Sequence, residues 1–310
     1  MASISSRAKH FQQPQGGFLG IVSFEQYDGI GGLRISNEKD VYNIDFDNFL
    51  QKYLRKNPFP EPYNTYEKSL KLIKRALLTL VFLENEIEPA ELFGEALKGA
   101  ANIGDSSNAE RLFQRVNNSD KNFRGFVDNT YKPENDIFDD RMMETVCDLL
   151  SYEYYANGRY SGVHITLTLS DELANYLFEM AHSIINSCIY YPTNNYPFRG
   201  GFPTYPAPEL AYTRAVNSGD IDLVTKKAVW KIFISGDKKP KPSTPETLEV
   251  LMQYIMAVNA DPDLKDKLQY IGIYDPNRNL IYVMKTSDIP QEVIDTVSAD
   301  VIGYDKSRIE

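Results

Sequence analysis

The chain has little cysteine, tryptophan or histidine: two, one and three residues respectively in 310. Cys147 and Cys188 cannot form a disulfide framework or a zinc site by themselves. Long hydrophobic runs are absent too. The longest is the stretch 76–83 (Ala-Leu-Leu-Thr-Leu-Val-Phe-Leu), far below the roughly 20 residues of a membrane span. Positive charge is also short, with 33 basic against 43 acidic residues and a net charge of −10. A protein that holds DNA by blanketing phosphates ordinarily has the opposite sign, because neutralised phosphates supply most non-specific affinity. Residues 1–17 are polar and carry no apolar core of a secretory leader. A cytoplasmic protein with no membrane contact is expected.

What is present is an ordinary globular composition, 42% hydrophobic and 25% charged, which excludes disorder over the whole length and any collagen-like or coiled-coil chain. The 21 tyrosines and 16 phenylalanines suit protein interfaces as well as an aromatic core; the core is the plainer reading.

Four regions follow from periodicity and punctuation. Residues 1–17 read as a flexible tail. Residues 18–189 read as mainly helical after a short β-prone run, Leu19 to Phe24, and a glycine turn at 29–32 that lacks the setting of a dinucleotide loop. Leu70, Ile73, Leu77, Leu80 and Val81 share one helix face, with Asn64 as a candidate N-cap. Pro89 opens a second helix, residues 108–116 form a third and Arg141 to Tyr155 a fourth. Ser170 caps another, bearing Leu173, Leu177, Met180, Ile184 and Cys188. Residues 190–210 hold five prolines and two adjacent glycines, a density that no regular element survives, so they read as a connecting loop. Residues 211–310 alternate: strands at 221–225 and 229–235, a helix from Thr244 and Pro245 to Asn259, strands at 270–274 and 280–284, and a helix from Pro290. These four strands are expected in one sheet, with the helix from Pro245 packed across it.

The segments 212–225 and 229–235, with 247–256, 268–282, 289–294 and 300–304, resemble the core of the PD-(D/E)xK nuclease-like superfamily. The likeness is to its RecB-type branch and above all to a group of proteins from Gram-positive bacteria and their mobile elements. The resemblance implies an α/β fold: a helical N-terminal half on a restriction-endonuclease-like core with a mixed central sheet. In such a core one strand delivers a carboxylate, and the next carries Asp-x-Lys or Glu-x-Lys. Strand side chains alternate, so acid and lysine reach the same Mg²⁺-bound water. A following helix adds Gln and Tyr.

Set onto those slots, Asp222 takes the first carboxylate position, with Asp220 beside it, and the two are the metal-ligand candidates. Lys231 stands where the second acid belongs and Phe233 where the lysine belongs. Glu249 replaces the Gln, and Tyr254 is retained. An ammonium in a ligand's place opposes cation binding, and phenylalanine cannot orient water. Without the resemblance, Asp220 and Asp222 suit a turn and strand start after Asn217-Ser218-Gly219. Lys231 is expected to pair with Asp222 or Glu249, with Phe233 filling the remaining space.

Three functions compete. The first is a catalytically degenerate nuclease-fold protein that binds a macromolecular partner and needs no cofactor. The second is an active Mg²⁺-dependent DNA nuclease with ligands migrated to Asp220, Asp222, Glu246 and Glu249. The third is a phage or mobile-element protein that inhibits a host protein. The missing Asp-x-Lys pair disfavours catalysis, and the net charge favours a protein partner over nucleic acid. DNA contact would have to use a local basic patch such as Lys238, Lys239 and Lys241. His164 and His182 lack a third ligand, Cys147 lies on an apolar helix face, and Ser161-Gly162 lacks a nucleophile-elbow setting.

Overall fold

The computed structural model describes residues 2–11, 22–30, 46–124, 140–158, 162–190, 192–234 and 243–304. Several expectations fall outside these residues: the tail beyond Phe11, the start of the 19–24 run, the second half of the glycine turn, Ser161, and the lysines at 238, 239 and 241. The fold is mixed α/β, with its helices mostly in the N-terminal half. The chain divides into two compact units, Gly32–His182 and a discontinuous one formed by Met1–Gly31 with Ser183–Glu310.

The first unit is helical. It contains α2 (Phe46–Lys56), α3 (Tyr66–Leu83), α4 (Pro89–Asn102), α5 (Ser106–Arg124), α6 (Asp140–Ser151) and most of α7 (Asp171–Ile184). In α3 the residues Leu72, Ile73, Ala76, Leu77, Leu80 and Val81 are buried, as their three-and-four spacing demands. Each such aliphatic side chain contributes about 1.5–3 kcal/mol on burial, so Leu77→Ala would cost about 2–5 kcal/mol. The extended residue before α3 is Thr65, one position later than the expected cap. Pro89 takes the first turn of α4, where its missing N–H costs nothing. No described helix is long and apolar enough to cross a membrane.

The second unit is built on a five-stranded sheet. Its strands are β2 (Glu25–Asp28), β4 (Leu223–Val224), β5 (Ala228–Ile232), β6 (Tyr270–Asp275) and β7 (Leu280–Lys285), in the order β2-β7-β6-β5-β4. Only β5 and β6 run parallel, in register from Ala228↔Tyr270 to Ile232↔Tyr274. A parallel pair needs a crossover, supplied here by α8 (Thr244–Ala260). Ser243 and Glu246 close a capping box at its start. Leu248, Leu251, Met252 and Ile255 of α8 share one buried cluster with Val229, Ile271, Ile273 and Met284 of the sheet. The four expected strands thus share one sheet, with the expected helix across it.

On the other face Trp230, fully buried, meets Phe198 edge-on, the ring centroids 5.8 Å apart. Its ring occupies the space of a side chain at position 272: a Cβ there would lie 2.3 Å from Trp230 Cζ3. Only glycine fits.

Three expectations need correction. The tail is ordered through Phe11: β1 (Ala2–Ser3) pairs in parallel with β3 (Val216–Ser218), a strand absent from the sequence reading, and α1 (Ile4–His10) follows. Ser3 caps α1 by accepting from the Ser6 amide, and Ile4 and Ala8, one turn apart, are buried. Two buried positions in seven residues are too few to show a period. Of the β-prone run at 19–24, the described residues 22–24 lie outside the strand, and pairing with β7 selects Glu25–Asp28. Finally, the described residues of 190–210 belong to the sheet unit rather than linking two regions. Pro203 bridges to Thr225 and Phe198 is fully buried.

Candidate functional site

The side of the sheet facing α8 carries the residues singled out by sequence. Lys231, the fourth of five residues in β5, points toward α8 because its neighbours Trp230 and Ile232 point the other way. Its Nζ lies 2.7 Å from Glu249 Oε1, and both residues are 8% exposed. Glu249 stands on the sheet-facing side of α8, in its second turn. A second donor reaches it from the far end of the sequence: Ser5 Oγ donates to Glu249 Oε1 at 2.6 Å.

Ser5 is placed by a set of contacts that hold α1. Beyond β1 and the buried Ile4 and Ala8, Arg7 donates from Nε to Val301 O at 2.9 Å and from Nη2 to Asp300 O at 3.0 Å. These carbonyls belong to the wide helical turn Val297–Ile302 that continues the helix Gln291–Thr296. A cation suits such carbonyls.

The remaining candidates have other engagements. Asp222 Oδ2 accepts from the Ile232 amide at 2.9 Å, an anchor between the approach to β4 and the end of β5. The side chain of Asp220 is exposed, and its carbonyl accepts from Gln253 Nε2 at 2.8 Å. Gln253 Oε1 is buried without a partner. Glu246 accepts from the Ser243 amide at 2.6 Å and so serves its own helix end. Phe233, half-buried, packs against the cluster under α8. Tyr254 is 6% exposed; burial raises its pKa, and its hydroxyl faces Thr286 rather than Glu249.

The structure therefore joins Lys231 with Glu249 and brings Asp222 to the backbone of the same strand. It leaves Asp220 and Tyr254 outside. Among the described residues no group of three or more His, Cys, Asp or Glu is arranged to hold a metal ion. Glu249 is met by an ammonium and a hydroxyl, and Asp222 and Glu246 each accept from a backbone amide.

No family model matches the chain, nor does any curated protein or solved structure. The local geometry has to carry the functional reading.

Sequence reasoning missed Ser5. The one local cue is Ser3, an N-cap residue type ahead of Ile4 and Ala8, and two apolar positions are too few to announce a helix. In the helical unit the histidines have ordinary partners. His164 Nε2 lies 2.8 Å from Ser151 Oγ and 3.3 Å from Asp148 Oδ1, with the ring stacked on Tyr152 at 3.8 Å. His182 Nε2 pairs with Glu84 at 2.9 Å. Cys147 is fully buried, and desolvation pushes its thiol far above the ordinary range.

Proposed function

We propose that this chain is a non-cleaving binding protein, its sheet unit a nuclease-like scaffold in which an ion pair takes the place of the metal. The observation that carries the reading is the 2.7 Å contact between Lys231 and Glu249. Two carboxylates and a lysine around a cation would be the active arrangement of the resembled superfamily. Here the fixed positive charge is the lysine itself. Ser5 donates to the same carboxylate, and Phe233 packs beside it on the apolar cluster. The strand, strand, helix, strand, strand order, with its single parallel pair, supports the scaffold reading. The net charge of −10 supports a protein partner over nucleic acid.

The test is direct. With Mg²⁺ or Mn²⁺ the purified chain is expected to leave linear, nicked and single-stranded DNA intact. The double substitution Lys231→Asp with Phe233→Lys is expected to restore a cation site, read as saturable heat in calorimetry with Mn²⁺. Metal-dependent cleavage by the unaltered protein, abolished by Asp222→Ala, would overturn the proposal in favour of an active nuclease.

A further inference from the structure

On the face of the sheet away from α8 lies a cation with no counter-charge among the described residues. Arg199 is 7% exposed, and its Nε is buried without a hydrogen-bond partner. The groups that act on it are Tyr196, Cys188 and Tyr190; no carboxylate is among them. Cys188 is fully buried and desolvation pushes its thiol well up, so it remains neutral and balances nothing. Burial also pulls the guanidinium down from its ordinary value, yet arginine stays charged at neutral pH. A desolvated charge without a partner is costly.

The surrounding loop is firmly built. Thr193 and Tyr196 exchange backbone hydrogen bonds of 3.3 and 3.1 Å, the Arg199 amide donates to Tyr196 O at 3.3 Å, and the Gly201 amide donates to Tyr190 O at 3.4 Å. Next to Arg199 the fully buried Phe198 packs on Trp230 and Tyr270. On its other side Gly200 presses on Thr225, where a Cβ would meet Oγ1 at 2.5 Å. This frame sets the guanidinium over the Tyr190 and Tyr196 rings, with Cζ 5.6 and 5.8 Å from their centroids.

The rings hold the guanidinium by its charge and accept none of its N–H groups in their own plane, and the buried Nε has no acceptor among the described residues, so a donor edge remains for the two oxygens of one anion. Tyr190 is 51% exposed, so the site borders solvent. The Lys227 amide nitrogen lies 3.0 Å from where a Cβ on Gly200 would stand.

We propose that Arg199, flanked by Tyr190 and Tyr196, is a binding site for a phosphate-type oxyanion, either free phosphate or the phosphoryl group of a small molecule. The site stands whether or not the Lys231 face is a closed nuclease scaffold.

The test is titration of the full-length, ¹⁵N-labelled protein with inorganic phosphate, phenyl phosphate and acetate at constant ionic strength. One arginine Nε–Hε resonance is expected to shift saturably with phosphate, and the melting temperature to rise with its concentration. Phenyl phosphate binding more tightly than inorganic phosphate assigns a phosphorylated small molecule; equal binding assigns the free anion. Arg199→Lys keeps the charge but loses the planar donor edge, and is expected to bind phosphate about tenfold more weakly. Where that variant folds poorly, Tyr190→Ala at the half-exposed ring is expected to weaken binding as well. No saturable response in the unaltered protein, undiminished binding in the variant, or acetate binding as tightly as phosphate would each overturn the proposal.

Discussion

Lys231 and Arg199 are both buried cations of the sheet unit, and they have opposite surroundings. Lys231 has a carboxylate at 2.7 Å that is itself held by Ser5. Arg199 has two aromatic rings and a neutral thiol. The first is complete within the chain, so removing it leaves the Glu249 charge buried with only the Ser5 hydroxyl for a partner. The second has no carboxylate partner among the described residues, which leaves its donors open to a ligand. The pair teaches that a buried charge is informative through its partners: a matched one marks internal architecture, and an unmatched one marks a ligand.

The largest expected effect tests the matched cation. Lys231→Ala leaves an uncompensated carboxylate and is expected to cost about 3–5 kcal/mol in urea unfolding, whereas Lys226→Ala, at an exposed residue, stays within about 0.5 kcal/mol. Equal effects would remove the distinction.

A buried carboxylate on the same sheet offers a second contrast, in pH. Asp275 is 3% exposed, and desolvation raises its pKa from 3.8 to about 6, against the opposing pull of the Arg278 amide and guanidinium and the Asn277 amide. The folded value exceeds the unfolded one, so folding favours the protonated form. That contribution is complete below the unfolded value and is lost as pH rises through about 6. Over this window the protein is expected to lose about 2–3 kcal/mol through this group. Asp275→Asn should flatten that part of the stability curve; an unchanged slope would show the carboxyl to be well solvated.

Smaller still is the expected effect of Ser5→Ala. It removes one donor to Glu249 while Lys231 remains, a loss of about 1–2 kcal/mol, with faster hydrogen exchange confined to α1 and its contacts. Smallest of all, Arg199→Met in phosphate-free buffer should stay within about 1 kcal/mol of the unaltered protein, since lost ring contacts and a relieved charge offset each other. A loss as large as that of Lys231→Ala would place an internal counter-ion at Arg199 and end the comparison.

The sheet and its crossover helix were legible because their signals are local. Period-2 runs at 270–274 and 280–284 flank a turn, and Ser243 with Glu246 announces the start of α8. The Lys231–Glu249 pair was also within reach, since the residues occupying the resembled motif's slots leave the lysine few other partners. What could not be read was non-local. The β1–β3 pairing joins residues more than 200 positions apart, and a two-residue strand has no pattern. The Arg199 site sits in a segment whose prolines signal only that regular structure ends; its order comes from Phe198 docking on Trp230 and Tyr270. Asp220 and Asp222 looked alike in sequence, yet only Asp222 meets a backbone amide of the neighbouring strand.

The discontinuity of the sheet unit also sets an order of events during synthesis. Chains emerge from the ribosome N-terminus first, and domains generally fold as units. The helical unit is one continuous stretch, so all its contacts exist once residue 182 has emerged. Strand β2 has no partner until β7 appears about 250 residues later, and Arg7 waits still longer for the carbonyls of Asp300 and Val301. The first segment made is thus among the last to settle. Until then the apolar side chains that await α1 and β2 stay open to a chaperone or to a neighbouring nascent chain.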